Sequence, residues 1–175
     1  REDILMSPQD VFKAAQALQM TPHDFVKLYC DCYLGSTSRM PIVRLMPRGS
    51  IKRCPLLKNR KCMIHDAKPA VCAMFPLGRA IRIDKKDAEK DKLPPMKVEY
   101  IINDIDCGDN SETHTVKGWL ESFGIPLNDE YFIEWQKTIS LLSPRIQKLE
   151  KMLSDEVCDK LIDVLFIKLY LDYDM

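Results

Sequence analysis

The sequence has no apolar run that approaches the ~20 residues needed to cross a bilayer. Its longest candidate, Val164-Leu165-Phe166-Ile167, is broken by Lys168 and flanked by acids, so no membrane partner is expected. There is no excess of charge of either sign: 26 Lys and Arg stand against 26 Asp and Glu. Nucleic-acid binders gain affinity by releasing counterions with a surplus of cations, so no nucleic-acid partner is expected either. Glycine is scarce, at 6 of 175 residues, which leaves little room for a phosphate-binding loop. No Ser-His-Asp order and no pair of catalytic carboxylates stands out, and low-complexity tracts are absent. The chain opens Arg1-Glu2-Asp3, and no signal peptide is read there.

What is present is one globular domain's worth of chain, read as a single domain over residues 1–175. A basic group, Arg39, Arg44, Arg48, Lys52 and Arg53, is read as solvated charge beside short strands. Seven cysteines are too few for a small disulfide scaffold and odd in number. A reducing, cytoplasmic setting with metal-bound thiolates follows from that count.

Local signals predict an α+β fold, mostly helical, with a small antiparallel sheet and a cysteine-rich irregular loop. Ser7-Pro8-Gln9-Asp10 has a capping residue, a proline for the first helical position and an acid in the first turn. Thr21-Pro22-His23-Asp24 repeats that start, and this second helix is expected to run on toward Gly35 with Phe25, Val26, Leu28 and Tyr29 on its apolar face. Residues 42–46 and 51–53 read as short strands around Pro47-Arg48-Gly49-Ser50. A helical turn is expected at 70–74, and two antiparallel strands at 79–84 and 97–103. The acid- and lysine-rich stretch 84–92 between them reads as a solvated hairpin loop. Thr115 to Phe123 reads as a helix closed by Gly124. A long amphipathic helix begins at Asp129, kinked or restarted at Pro144. Ser154 caps a last helix carrying Val157, Leu161, Leu165 and Leu169.

Three cysteines, Cys54, Cys62 and Cys72, lie beside turn-forming segments, and Cys107 follows a strand-like run in Asp106-Cys107-Gly108-Asp109. Thiolate is the metal-ligating form, and four thiolates suit tetrahedral zinc or an iron–sulfur cubane. The Cys54-x7-Cys62-x9-Cys72 spacing matches neither a zinc-ribbon knuckle nor bacterial ferredoxin. His65 is a conceivable nitrogen ligand, although a turn histidine without metal is the commoner case. His23 and His114 read as surface residues. Cys30 and Cys32, placed near the end of the second helix, read as packing residues, and Cys158 as an inert thiol on an apolar helical face.

Cys54-Pro55-Leu56-Leu57, Cys62-Met63-Ile64-His65 and Lys68-Pro69-Ala70-Val71-Cys72-Ala73-Met74-Phe75-Pro76 together resemble the YkgJ-type zinc- or iron-chelating family, also called CxxCxxCC. Met6-Ser7-Pro8-Gln9-Asp10-Val11 resembles its first helix start, and Cys107-Gly108 with Thr115-Val116 its later cysteine–glycine segment. The resemblance covers roughly residues 4–120, leaving 121–175 as a C-terminal helical extension packed on it. It departs in several respects. The tight N-terminal cysteine cluster of the family is absent from these residues, His65 stands where an aromatic is usual, and Lys68 and Ala73 stand where many members carry arginine. The resemblance implies a metal-binding protein, with zinc or an iron–sulfur cluster as cofactor and Cys54, Cys62, Cys72 and Cys107 as metal ligands, alone or completed by further thiolates. The related flagellin lysine N-methylases imply an alternative, a methyltransferase acting on a protein substrate through an iron–sulfur centre. An interaction scaffold built on the C-terminal apolar stripes is a third reading.

Overall fold

A computed structural model describes residues 3–83, 95–103 and 111–173. The fold is α+β, as expected. In chain order the elements are β1 (Leu5–Met6), α1 (Pro8–Ala17), α2 (Pro22–Tyr29), β2 (Cys30–Leu34), β3 (Pro41–Leu45), β4 (Leu57–Lys58), β5 (Lys61–Cys62), α3 (Ala70–Met74), β6 (Leu77–Ile83), β7 (Met96–Ile102), α4 (Val116–Glu121), α5 (Glu130–Glu150) and α6 (Asp155–Phe166). A 3-10 turn, His65–Ala67, precedes α3, and a π-helical turn, Ile167–Leu171, continues α6. The chain divides into two compact units: residues 1–69 with 142–175, and residues 70–141.

In the first unit the helix starts follow their capping chemistry. Ser7 accepts the Asp10 amide at 3.2 Å while the Asp10 carboxylate accepts the Ser7 amide at 2.9 Å, a reciprocal box that satisfies two end groups of α1. Thr21 caps α2 in the same way, accepting the Asp24 amide at 3.1 Å. The second helix is shorter than expected, because its chain turns extended at Cys30, where φ is −122° and ψ 153°. Residues 30–34 pair antiparallel with β3, Cys30 opposite Leu45 and Cys32 opposite Val43. Pairing with a distant strand overrides the local helical reading here. With β1 on the other edge the sheet order is β1-β3-β2. Val11, Ala14, Ala15, Phe25, Val43, Leu45, Leu56 and Ile64 are buried in this unit.

Residues 51–53 form no strand. They close a tight turn in which Arg48 and Arg53 bridge through two backbone bonds of 2.7 and 2.8 Å. The next hairpin, β4–β5, has Asn59 and Arg60 at its tip with φ of 51° and 61°. Both tip residues are left-handed, which matches the twist of the flanking strands.

In the second unit β6 and β7 pair antiparallel in full register from Leu77–Ile102 to Ile83–Met96. Their inner face meets α3 and α4 around Ala73, Met74, Leu77, Leu120 and Ile125. Thr115 caps α4 by accepting the Gly118 amide at 3.0 Å, and Gly124 follows it with φ 68°. The Trp119 indole donates to the Met74 carbonyl at 3.0 Å, tying α4 to the end of α3. Arg79 of β6 pairs with Asp129, its guanidinium 3.7 Å from the centre of the Phe132 ring. Asp129 also accepts the Phe132 amide at 3.0 Å, so one carboxylate both starts α5 and holds the buried arginine.

Pro144 neither ends nor restarts α5, which runs through it. The terminal stripes are shallower than the sequence suggests: α6 has no fully buried residue, and Val157 and Val164 are 45% and 55% exposed. Residues 84–92, expected as a solvated loop, lie outside the described residues.

Candidate metal centre

Cys54 is placed by its neighbours. Pro55 and Leu56 are buried immediately after it, Leu56 at 1% exposure, so the chain is pinned where the thiol emerges. The chain then folds back over its own cysteine: the Leu57 amide donates to the Cys54 carbonyl at 3.2 Å. Cys62 returns on β5, directly opposite Leu57. The Met63 amide bonds the Leu56 carbonyl at 2.9 Å and closes the hairpin onto the same anchor.

The two thiols are close enough to feel each other's charge. Burial raises the Cys54 pKa, the Leu56 amide lowers it, a thiolate at Cys62 raises it again, and the Leu57 amide lowers it. The neighbouring backbone favours the thiolate, while burial and the neighbouring sulfur oppose it. A bound cation would reverse both opposing influences, since it neutralises the pair and supplies the missing solvation. The residues of this hairpin therefore fit one half of a thiolate shell.

The remaining candidates are distributed elsewhere. Cys72 lies in α3, partly buried, in the second unit. Cys107 lies outside the described residues. His65 is exposed in the 3-10 turn after β5. Among the described residues no three or more His, Cys, Asp or Glu side chains converge as a metal-binding group. The structure thus brings Cys54 and Cys62 together and places Cys72 apart from them in the chain's division into units. The six described cysteines are all thiols rather than disulfides.

Cys30 and Cys32, expected near a helix end, sit on β2 instead; two residues apart they share a strand face, and burial falls along the strand from the buried Cys30 to the exposed Cys32. Burial pushes the Cys30 thiol up to about 12, helped by Cys32 and Asp31. Burial and Asp31 push Cys32 to about 11. Both remain protonated at neutral pH and are poor ligands. Cys158 lies partly exposed on α6.

Three features escaped the sequence reading. The β4–β5 hairpin that folds the chain back from Cys54 to Cys62 has no signature beyond a proline after a cysteine. His114 was read as a plain surface residue, yet its ring stacks on Trp119 at 5.4 Å and bonds Glu112 at 3.2 Å. It lines an apolar cleft of about 220 Å³ with Pro76, Leu77, Ile102, Val116 and Trp119. The third feature is a set of unpaired cations around the candidate cysteines, and its signal is a plain run of Lys and Arg without acids. Compared with protein-family models, curated proteins and solved structures, the chain matches none of them.

Proposed function

We propose that this protein binds a soft metal ion, zinc or the iron of an iron–sulfur cluster, through cysteine thiolates, with Cys54 and Cys62 as the paired entry ligands. Cys72 and Cys107 are the further sulfurs that the family resemblance implies. The observation that carries the reading is the β4–β5 hairpin, closed onto the buried Leu56, which brings the Cys54 and Cys62 thiols near enough to influence each other's charge. Two such thiols would repel as thiolates, and a cation bound by both removes that repulsion. Zinc in a closed four-thiolate shell would hold the irregular middle segment in place. A cubane would supply electron transfer or radical chemistry, with hydrogen bonds to sulfur tuning its potential. The methyltransferase alternative rests on the resemblance alone.

Anaerobic purification followed by metal analysis and a visible spectrum tests this. Iron with acid-labile sulfide and broad visible absorbance selects the cluster, whereas stoichiometric zinc in a colourless protein selects the structural site. Cys62→Ser is expected to lose the metal and Cys158→Ser to keep it. Equal metal content in wild type and both variants, or no metal in any, overturns the assignment.

A further inference from the structure

Between Pro47 and Cys62 the chain carries Arg48, Lys52, Arg53, Lys58, Arg60 and Lys61 and not one Asp or Glu. These cations fall on two successive loops that leave the same buried anchor, Pro55-Leu56. Residues 47–53 are all exposed, and so are residues 57–61. Two other arginines of this unit meet acids: Arg39 meets Glu150 at 2.8 Å, and Arg44 meets Asp3 at 2.9 Å and Asp31 at 3.5 Å. Among the described residues none of the six loop cations has an ion-pair partner. Arg48 donates to the Leu28 carbonyl at 3.2 Å and lies over the Tyr29 ring, contacts that leave its charge unbalanced.

Each loop also sets like charge against like. Arg48 faces Arg53 across the backbone bridge, and Lys58 faces Lys61 across the β4–β5 hairpin. Directly opposed like charges weaken a strand pair. Two such pairs in successive loops, with no acid among the described residues paired to them, are costly in the isolated chain and are relieved by an external anionic surface. Interleaved with the cations are exposed aliphatic side chains: Ile51 at 49%, Leu57 at 48% and Met63 at 39% exposure.

We propose that these two loops form a docking surface for an anionic lipid bilayer, with the lysines and arginines on lipid phosphates and carboxylates and Ile51 and Leu57 dipping into the headgroup boundary. A bilayer fits better than the other polyanions. Two short exposed turns offer neither a helix for the major groove nor aromatic platforms for unstacked bases. Cations beside exposed aliphatics match a planar, deformable, anionic surface. The absence of a membrane-spanning helix among the described residues does not bear on such peripheral contact. The proposal stands apart from metal binding, because the cations are there whether or not the thiols carry a metal.

Co-sedimentation of the full chain with phosphatidylcholine vesicles, alone and with about 30% phosphatidylserine, reads it directly. Binding is expected to the anionic vesicles only and to fall when salt rises to about 0.5 M. Each Lys or Arg near the surface contributes a factor of about five, so Lys58→Ala with Lys61→Ala should weaken binding about 25-fold. The same double variant removes the opposed pair, so its thermal midpoint should hold or rise, which separates lost binding from lost folding. Ile51→Asp should weaken vesicle binding about tenfold with its cations intact. Vesicle binding unchanged in the lysine double variant overturns the proposal. So does indifference to Ile51→Asp combined with equal affinity for a DNA duplex or poly-glutamate, which marks a plain polyanion contact. Failure of the wild type to bind anionic vesicles overturns it as well.

Discussion

Cys30 shows how much one residue's surroundings decide. Its thiol is 9% exposed on β2, and burial together with Cys32 and Asp31 takes it from 9.0 to about 12. The fold therefore favours the protonated form. Below pH 9 folded and unfolded chains both keep that proton, and the full stability is present. Above it the unfolded chain ionises first, so stability falls progressively until the folded thiol itself titrates near pH 12. Urea denaturation between pH 8 and about 11 should show a steeper loss in wild type than in Cys30→Ala. Parallel pH profiles for the two proteins would refute the assignment. Alkylation at neutral pH should spare Cys30, because a buried and protonated thiol is a poor nucleophile.

At the scale of elements, the start of α5 depends on Asp129. Its carboxylate accepts the Phe132 amide and pairs with Arg79, and the two side chains are 14% and 9% exposed. Asp129→Ala removes the cap and strands a buried guanidinium, a loss of about 3–5 kcal/mol. Asp129→Asn keeps the capping oxygen and should retain part of it, as denaturant midpoints will show. A loss below about 1 kcal/mol in the alanine variant would mean that Arg79 finds another partner. The same element shows what periodicity can reveal. The spacing of Phe132, Trp135, Ile139, Leu142 and Ile146 announces a helix, but only Ile146 of α5 is fully buried. Helical spacing says which residues share a stripe and is silent on what covers it. The capping residues Ser7, Thr21 and Thr115 were legible because each cap is contained within four residues of chain. Cys30–Leu34 was not, because its strand pairing is with residues 41–45 across an intervening turn.

At the scale of the molecule, each compact unit has its own buried side chains, and the second rests on a short list headed by Leu120, which is fully buried. Leu120→Ala should cost about 2–5 kcal/mol, read by hydrogen exchange as lost protection in α3, α4 and β6. Unchanged protection there would contradict the assignment of Leu120 to the centre of this unit. The neutral net charge is also a molecular sum that hides its parts. Six cations on two loops of the first unit, without ion-pair partners among the described residues, are offset in the sum by acids elsewhere in the sequence.

The sequence by itself determined the α+β class, most helix starts and the β6–β7 strand pair, since caps and alternation act over a few residues, but Cys62 and Cys72, read as loop residues, lie on β5 and in α3. Only the tertiary structure decided that the Cys54 and Cys62 thiols come near enough to influence each other's charge, that Cys30 is buried on β2, and that Arg39 and Arg44 meet acids while, among the described residues, Arg48 and its loop neighbours do not. Those outcomes depend on which distant groups come within a few ångströms of one another. Burial and charge pairing are properties of that meeting, and no stretch of chain encodes them alone.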